Sequence, residues 1–321
     1  MKEIEIWNFI ERKLAADIPV VLMVVAESNN SSPGRAGFKM VVARDEEMTG
    51  TIGGGIMEYN LIKTARNLFT ENDRTIMKEL HHDPHQALDK SGLICGGSQT
   101  VILRKLDRKS LPLCHEIINK YDSRQNGVLR ITADHITLEN AKDDLPDIHF
   151  KSLPDSEWIY EEPYGVPDTV YIIGGGHVGL AVARVLANLN FYIITIDPRK
   201  EVFTLKQNTY AHRIIHVPYD EAGKFIRDGH RSYVVIVTHA FTSDRTFLRS
   251  VIHKKVRYIG MMGSRVKIKK IIDELIEDGM APALFEPLHA PIGLKIGAET
   301  PEEIAVSIAS EIIQARHSDY L

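Results

Sequence analysis

Residues 170–179 read VYIIGGGHVG, an apolar run that passes directly into glycines. The apolar first half predicts a β-strand, and the residues from His177 onward predict a helix. In such a strand–turn–helix unit Gly174 permits the tight turn, Gly176 lets the backbone approach a diphosphate, and Gly179 lets the helix pack closely on the strand. The amide groups at the start of the helix also favour a phosphate. This pattern predicts a Rossmann-type nucleotide-binding unit; the alternative is a glycine turn with a purely structural role.

An acidic residue follows at the expected interval. Asp197 ends the next apolar run, 191–196, about 20 residues after the glycines. A carboxylate in this position binds the hydroxyl groups of a ribose in dinucleotide-binding units. Arg199 lies two residues further on and could instead accept an additional phosphate. The pattern therefore leaves NAD and NADP both open.

The second half of the chain continues with alternating strand and helix patterns. Apolar runs at 213–217, 234–237 and 258–262 are separated by segments of helical periodicity. Alternation of this kind predicts a parallel sheet with helices on both faces. The fold class predicted for this half is therefore α/β, a doubly wound Rossmann-type sheet.

Two polar segments follow strands of this sheet, where ligands of such folds bind. His239 comes after the strand 234–237 and is either a ligand contact or a hydrogen-bonded core histidine. Gly263, Ser264 and Arg265 follow the next strand and open a basic helix. Ser264 can cap that helix while its first amides, with Arg265, face an anion. The alternative is a cap on a solvated basic helix.

The first half of the chain has a mixed α+β pattern with a second glycine-rich turn. Gly53, Gly54 and Gly55 precede a helical segment, with Glu58 one turn inside it. This arrangement predicts a second anion-binding turn. Ser32 lies in a further polar loop that is rich in hydrogen-bond donors. Each motif, taken alone, also fits a purely structural role.

The two cysteines have different surroundings. Cys95 is followed by two glycines, a flexible turn where exposure and nearby amides could lower the thiol pKa. Cys114 sits in an apolar segment and is predicted to be a small core residue. The histidines His81, His82 and His85 lack a matching set of ligands, so a polar surface loop is the preferred interpretation.

The domain organisation follows from these patterns. We predict an N-terminal α+β domain over 1–110 and a Rossmann-type domain over 168–321. The stretch 111–167 is interpreted as a connecting segment, because its end is rich in proline and acidic residues.

Composition excludes several classes of protein. With 321 residues, 44% hydrophobic and 26% charged, the chain can form a sizeable core. A formal net charge of −4 gives no electrostatic reason to expect a nucleic acid or an anionic membrane as a partner. No apolar run approaches the roughly 18 residues that span a bilayer, and the N-terminus lacks the layout of a signal peptide. Two cysteines are consistent with a reducing compartment, so we expect a cytoplasmic protein.

Taken together, the motifs of both halves resemble the XdhC/CoxI family of molybdoenzyme accessory proteins. Several motifs occur in the same order along the chain. They are the segments 31–34, 50–55 with Glu58, 95–97, 173–179, 197–199, 258–265 and 291–298.

The resemblance implies a role in the maturation of xanthine dehydrogenase or a related molybdenum hydroxylase. Such proteins bind the molybdenum cofactor, protect it while a cysteine desulfurase installs its sulfur ligand, and hand it to the apoenzyme. Within the family, Cys95 is the residue expected to contact molybdenum or its sulfur. The chain departs from the family pattern after His239, where an acidic residue is expected; either Asp244 serves instead or that contact is absent. The resemblance is compatible with a homodimer. Two cysteines cannot hold an iron–sulfur cluster through four thiolates.

Two other functions remain open at the level of sequence. An NAD(P)-dependent oxidoreductase would use the Rossmann half for its nicotinamide cofactor and His239 as acid or base. A nucleotide-regulated scaffold would need only the Rossmann half. The oxidoreductase hypothesis is weakened because no Tyr-x-x-x-Lys or comparable catalytic pair appears at a strand end of the Rossmann half.

Overall fold

The computed structural model describes residues 3–29, 32–71, 75–81, 97–123, 125–141, 148–153, 157–165 and 167–317. The chain forms two compact units, 1–166 and 167–321. Each unit has hydrophobic cores of its own.

The first unit contains a five-stranded antiparallel sheet. Its strands are β1 (Val20–Asn29), β2 (Lys39–Ala43), β3 (Met48–Gly50), β4 (Thr75–His81) and β5 (Ser98–Leu106). They are ordered β3-β2-β1-β5-β4, and β1 is buried along most of its length. The central strand β1 is apolar and buried from Val20 to Ala26, as expected for a strand whose two faces are both covered.

Helices and a second sheet cover the two faces. The helices are α1 (Glu3–Ala15), α2 (Gly55–Leu68) and α3 (Leu111–Asp122). The second sheet has the order β7-β6-β9-β8 and consists of β6 (Gly127–Thr132), β7 (Ile136–Asn140), β8 (His149–Ser152) and β9 (Trp158–Tyr164). One core contains side chains of α1, α3 and the second sheet. The other core lies under α2.

Nearly all of the stretch 111–167, interpreted from sequence as a connecting segment, falls in the first unit, which ends at residue 166. It contains α3 and all four strands of the second sheet, and Tyr160 and Tyr164 of β9 are buried in the core. The strands β6 and β9 are short and alternate between buried and partly buried residues. Such strands give a weak sequence signal beside the many prolines and acids.

The second unit contains a six-stranded parallel sheet. Its strands are β10 (Thr169–Ile173), β11 (Tyr192–Ile196), β12 (Arg213–Ile215), β13 (Gly229–Ile236), β14 (Val256–Met261) and β15 (Leu288–His289). They are ordered β12-β11-β10-β13-β14-β15, and every pair is parallel. The order reverses between β10 and β13, which is the point where doubly wound sheets bind ligands.

Helices cover both faces of this sheet, as expected for a doubly wound fold. They are α4 (His177–Asn188), α5 (Phe203–Lys206), α6 (Phe241–Val251), α7 (Arg265–Glu277) and α8 (Pro301–Arg316). Side chains of α4 and α8 share one core, and those of α6 and α7 share the other. The sequence prediction of a doubly wound α/β unit is confirmed.

Within the described ranges, no helix combines the length and apolar character that a membrane crossing requires.

Candidate functional site

Four loops with predicted site residues lie along one edge of the parallel sheet. Because all six strands run in the same direction, the residues that follow them lie along the same edge. Gly174 follows β10, Asp197 follows β11, His239 lies shortly after β13, and Ser264 lies shortly after β14. The sequence prediction that these motifs share the ligand-binding edge of a Rossmann sheet agrees with this topology.

The three motif glycines have different roles. Gly174 has φ +110°, and a Cβ there would lie 2.8 Å from the Val237 carbonyl oxygen. A Cβ at Gly179 would lie 2.0 Å from the Gly174 carbonyl oxygen. At Gly176, by contrast, a Cβ would meet nothing within 4 Å, and φ is an ordinary −74°. Packing therefore requires the first and third glycines, whereas the second leaves open space above the backbone.

The start of α4 faces this open space without a side-chain cap. Gly176 is the N-cap residue, and no side chain bonds to the first amides of the helix. Ser264 caps α7, as the sequence predicts, and Thr300 forms a capping box with Glu303 on α8. His177 is exposed at the first position of α4. The first amides of α4 are thus suited to an external acceptor such as a phosphate.

Asp197 is bound by groups of the chain itself. Its side chain is fully buried, and its Oδ2 accepts a hydrogen bond from the Gly175 amide at 2.8 Å. Arg199 donates from Nε to Oδ1 at 2.9 Å and from its terminal nitrogen to Oδ2 at 2.7 Å, and its own amide bonds Oδ1 at 2.9 Å. Burial disfavours the carboxylate, but the hydrogen bonds from Arg199 and Gly175 outweigh it and lower the pKa of Asp197.

This arrangement changes the interpretation of Asp197. A carboxylate offers about four acceptor positions, and the four donors named above fill them. Asp197 therefore fixes the glycine turn and Arg199 in place, while the Arg199 side chain remains 45% exposed. At the end of β11, the guanidinium of Arg199 is therefore exposed to solvent, whereas the carboxylate of Asp197 is not.

Beyond β13, His239 is exposed, so the alternative of a core histidine is wrong. Its neighbour Thr238 is buried and donates its hydroxyl to Asp244. Asp244 is fully buried, and its other oxygen lies 2.5 Å from the ammonium of Lys267. Burial raises the pKa of Asp244, against the effects of Lys267 and Thr238. Lys267 is thus engaged within the unit, and the buried carboxylate of Asp244 contributes to packing between α6 and α7.

At the start of α7, Ser264 accepts the Lys267 amide at 3.2 Å, as the capping prediction requires. Ser264 and Arg265 are both exposed, and Gly263 is partly buried just before them. The cap uses only an acceptor position of the Ser264 hydroxyl, so its O–H and the side chain of Arg265 are the exposed donors of this motif.

In the first unit the second glycine turn already holds a carboxylate. Glu58 Oε2 accepts hydrogen bonds from the Thr51 hydroxyl at 2.7 Å, the Ile52 amide at 2.9 Å and the Gly54 amide at 3.1 Å. Backbone amides at a glycine-rich helix start form an anion site. Here the anion is Glu58 itself, which stabilises the positive φ angles of Gly53, Gly54 and Gly55.

Ser32 lies against this turn in a buried hydrogen-bonded chain. Its hydroxyl donates to the Gln99 side-chain oxygen at 2.9 Å, and the Gln99 nitrogen donates to the Ile52 carbonyl at 2.9 Å. Ser32 and Gln99 are both buried. Sequence reasoning missed Gln99; the only signal is a polar residue near the start of the apolar strand β5. The structure thus joins the Ser32 loop and the Gly53 turn, two motifs that are about 20 residues apart in the sequence.

Cys95, the predicted contact to molybdenum, lies outside the described residues, as do His82, His85 and the side chain of His81. Among the residues that the structure does describe, no group of three or more His, Cys, Asp or Glu side chains could hold a metal ion. Cys114 is fully buried and free, which confirms its prediction as a core residue. Burial raises its pKa to about 12, so it is a poor nucleophile at neutral pH.

A carboxylate network that sequence reasoning missed supports the edge strand β15. Glu311 of α8 accepts the Tyr258 hydroxyl at 2.5 Å and the Gly293 amide at 2.7 Å with one oxygen. Its other oxygen lies 3.2 Å from His289 Nδ1. Glu311 is largely buried, and although burial alone opposes ionisation, the bonds from His289, Tyr258 and Gly293 lower its pKa.

We expect Glu311→Ala to lower the free energy of unfolding by about 3 kcal/mol at neutral pH, because it leaves buried donors without an acceptor. Because the pKa of Glu311 in the folded protein lies below the ordinary 4.5, the ionised carboxylate stabilises the protein above that pH. This contribution is lost as the pH falls through the pKa of the folded protein. The variant should therefore lose stability less steeply below about pH 4.5. Urea unfolding across this range checks both points. Glu302→Ala, exposed on the same helix, is the control; equal effects of the two variants would contradict the role of the network.

The uncapped glycine turn at the reversal point of a six-stranded parallel sheet defines the second unit as a Rossmann-type domain. Residues 170–312 match the family model described as the XdhC Rossmann domain, and residues 14–80 match that of the XdhC and CoxI family. The two matches together cover more than half of the chain and fall in both units. The chain belongs to the XdhC/CoxI family.

Individual relatives agree with this assignment. The chain is 25% identical over 303 residues to the uncharacterized protein YqeB of Escherichia coli, a match that covers 94% of this chain and 44% of YqeB. The chain thus spans less than half the length of that relative. It is 23% identical over 317 residues to a probable xanthine dehydrogenase subunit of Bacillus subtilis, covering 92% of this chain and 93% of that one.

A solved structure described as a xanthine dehydrogenase from Bacillus halodurans has the same fold. The TM-score is 0.77 at 23% identity, and the match covers 99% of this chain and 96% of that one.

Proposed function

We propose that the chain is an accessory protein of xanthine dehydrogenase or a related molybdenum hydroxylase, and that it binds the molybdenum cofactor and delivers it to that enzyme. Membership of the XdhC/CoxI family supports the accessory role. The match to the Bacillus subtilis relative, over nearly the whole of both chains, also supports it.

The observation that carries the cofactor proposal is the space at Gly176. Molybdopterin carries a phosphate, and the dinucleotide form carries two. A phosphate needs close backbone approach, several amide donors and a nearby cation. Gly176 supplies the approach, the first turn of α4 supplies the amides, and Arg199 supplies an exposed guanidinium that Asp197 holds in place. The residues present therefore fit the phosphate end of the cofactor.

The chain's contribution is binding and transfer rather than turnover of its own. In this proposal it shields the cofactor while a cysteine desulfurase supplies sulfur, and then releases it to the apoenzyme. The chemistry of substrate hydroxylation belongs to the partner once the cofactor is in place.

From the family resemblance, we also propose Cys95 as a contact to molybdenum or its sulfur. We expect Cys95→Ala to fold normally but to reduce the delivery of active cofactor by about tenfold or more, as expected when a metal-ligand contact is lost. The measurement is the activity recovered by cofactor-free xanthine dehydrogenase after incubation with loaded protein. Cys114→Ala, which alters the buried cysteine, is the control. Full delivery by the Cys95 variant would remove this cysteine from the mechanism.

An NAD(P)-dependent oxidoreductase is the competing function. The filled acceptor positions of Asp197 argue against its use for the ribose hydroxyls of NAD. Arg199 is exposed and could bind the extra phosphate of NADP. NADP is therefore the nicotinamide cofactor to compare with the molybdenum cofactor.

The delivery experiment also tests the proposal as a whole. Cofactor-free enzyme, free molybdenum cofactor and a sulfur source are combined with and without this chain. We expect faster and more complete recovery of hydroxylase activity with the chain. Identical recovery in its absence would contradict the accessory role.

A further inference from the structure

The second unit contains a cleft apart from the glycine turn. Its volume is about 510 Å³, which is within the range of small-molecule sites. One wall is α7, and the other is the loop that follows β15. The lining side chains include three cations, Arg265, Lys269 and Lys295, and three apolar residues, Ile268, Ile272 and Pro291.

The helical spacing of α7 builds the first wall. Arg265, Ile268, Lys269 and Ile272 lie three or four residues apart, so they share one face of the helix. Ile268 is buried at 5% exposure and also packs in the core under α7. The cleft therefore has an apolar floor on a rigid element and cations around its rim.

Two of the three cations are uncompensated. Lys269 forms a salt bridge with Asp273 at 2.7 Å. Among the residues that the structure describes, neither Arg265 nor Lys295 has an ion-pair or side-chain hydrogen-bond partner. No acidic side chain lines the cleft within the described part of the chain.

Two other cations on α6 and α7, in contrast, form ion pairs. Lys267 pairs with Asp244 at 2.5 Å, and Arg245 pairs with Asp278 at 2.6 Å. Within the cleft itself, two positive charges have no ion-pair partner among the described residues. An arginine and a lysine above an apolar floor match a dianion that carries an apolar body.

We infer that this cleft binds a phosphate monoester with an apolar or aromatic body, as a ligand site separate from the glycine turn at Gly174–Gly179. The phosphate lies between Arg265 and Lys295, and the apolar body packs on Ile268, Ile272 and Pro291. The inference goes beyond the proposed function, because it holds whichever cofactor the glycine turn takes.

The test is isothermal titration calorimetry of the full chain with phenyl phosphate, beside inorganic phosphate and succinate. We expect saturable binding of phenyl phosphate and weaker binding of the other two ligands. Inorganic phosphate lacks the apolar body, and succinate lacks the phosphate. Equal binding of inorganic phosphate would overturn the role of the apolar floor, and equal binding of succinate would overturn the preference for phosphate.

Variants locate the site. Arg265→Gln and Lys295→Gln should each weaken phenyl phosphate binding about tenfold, the effect of losing one charge-assisted hydrogen bond. Both side chains lack partners among the described residues, so the fold should be unaffected. Lys270→Gln, on the same helix but outside the cleft, should bind normally. Gly176→Val should also bind normally, which separates this site from the proposed cofactor site. Unchanged affinity in both cleft variants, or lost affinity in Gly176→Val, would overturn the inference.

Discussion

Gly176→Val is expected to weaken the binding of molybdenum cofactor by about a hundredfold while leaving the protein folded. A Cβ at this position meets nothing within 4 Å, and φ is −74°, so the backbone accommodates a side chain. The added branches occupy the space through which a phosphate would reach the first amides of α4. Two charge-assisted hydrogen bonds at about 1.5 kcal/mol each are worth about 3 kcal/mol, or roughly a hundredfold in affinity.

The structural cost of Gly176→Val should be below about 1 kcal/mol, since glycine is only a moderate N-cap residue. Gly179→Ala is the matched contrast. Its Cβ would lie 2.0 Å from the Gly174 carbonyl oxygen, so we expect a loss of about 3 kcal/mol in the free energy of unfolding. Thermal unfolding and a cofactor titration of both variants measure the difference. Normal cofactor affinity in Gly176→Val would show that the glycine turn is not the phosphate site.

Lys39→Met is expected to cost about 3–5 kcal/mol of stability, because it leaves the buried carboxylate of Glu162 without its cation. The Lys39 ammonium lies 2.7 Å from Glu162 and 2.9 Å from Glu3, and Lys39 and Glu162 are both less than 10% exposed. The Tyr160 hydroxyl also donates to Glu162 at 2.7 Å. Since Lys39 belongs to β2 and Glu162 to β9, this cluster links the two sheets of the first unit.

The cluster also predicts a pH dependence. Burial raises the pKa of Glu162 to about 7, from the ordinary 4.5. Between these values the folded chain binds the proton more tightly than the unfolded chain, so this group's contribution to stability falls as the pH rises through the window. Glu162→Gln should remove that slope, and adding it to Lys39→Met should restore part of the lost stability. Urea unfolding from about pH 5 to about pH 8 checks both points. Lys151→Met, at an exposed position of β8, is the control, and a similar loss in this variant would contradict the account.

The second unit could be predicted from sequence because its signals are local. The run 170–179 contains the strand, the turn and the helix start in ten consecutive residues. Buried parallel strands are continuous apolar runs, so β11, β13 and β14 stand out as well. In the first unit the second sheet has strands of four to seven residues, and it pairs β6 with β9, about 30 residues further along the chain. Pairings of this kind depend on contacts between distant residues, which periodicity does not reveal.

The candidate sites show the same contrast between local sequence signals and contacts of distant residues. Gly176 is recognisable from its motif, and its open space agrees with that expectation. The partners of Asp197 and Glu58 were not predictable. Whether a carboxylate faces a ligand or bonds to its own chain depends on the conformation of the turn around it. Gln99 is 67 residues from Ser32, and no local pattern connects them. The cleft beside α7 depends in the same way on a loop that approaches from β15.

The most direct test of the central claim is a binding titration of the full chain with molybdenum cofactor, run beside NAD and NADP. We predict saturable binding of molybdenum cofactor that Gly176→Val weakens, with neither nicotinamide cofactor binding comparably. Saturable binding of NAD or NADP alone would contradict the account and would identify the Rossmann-type unit as that of an oxidoreductase.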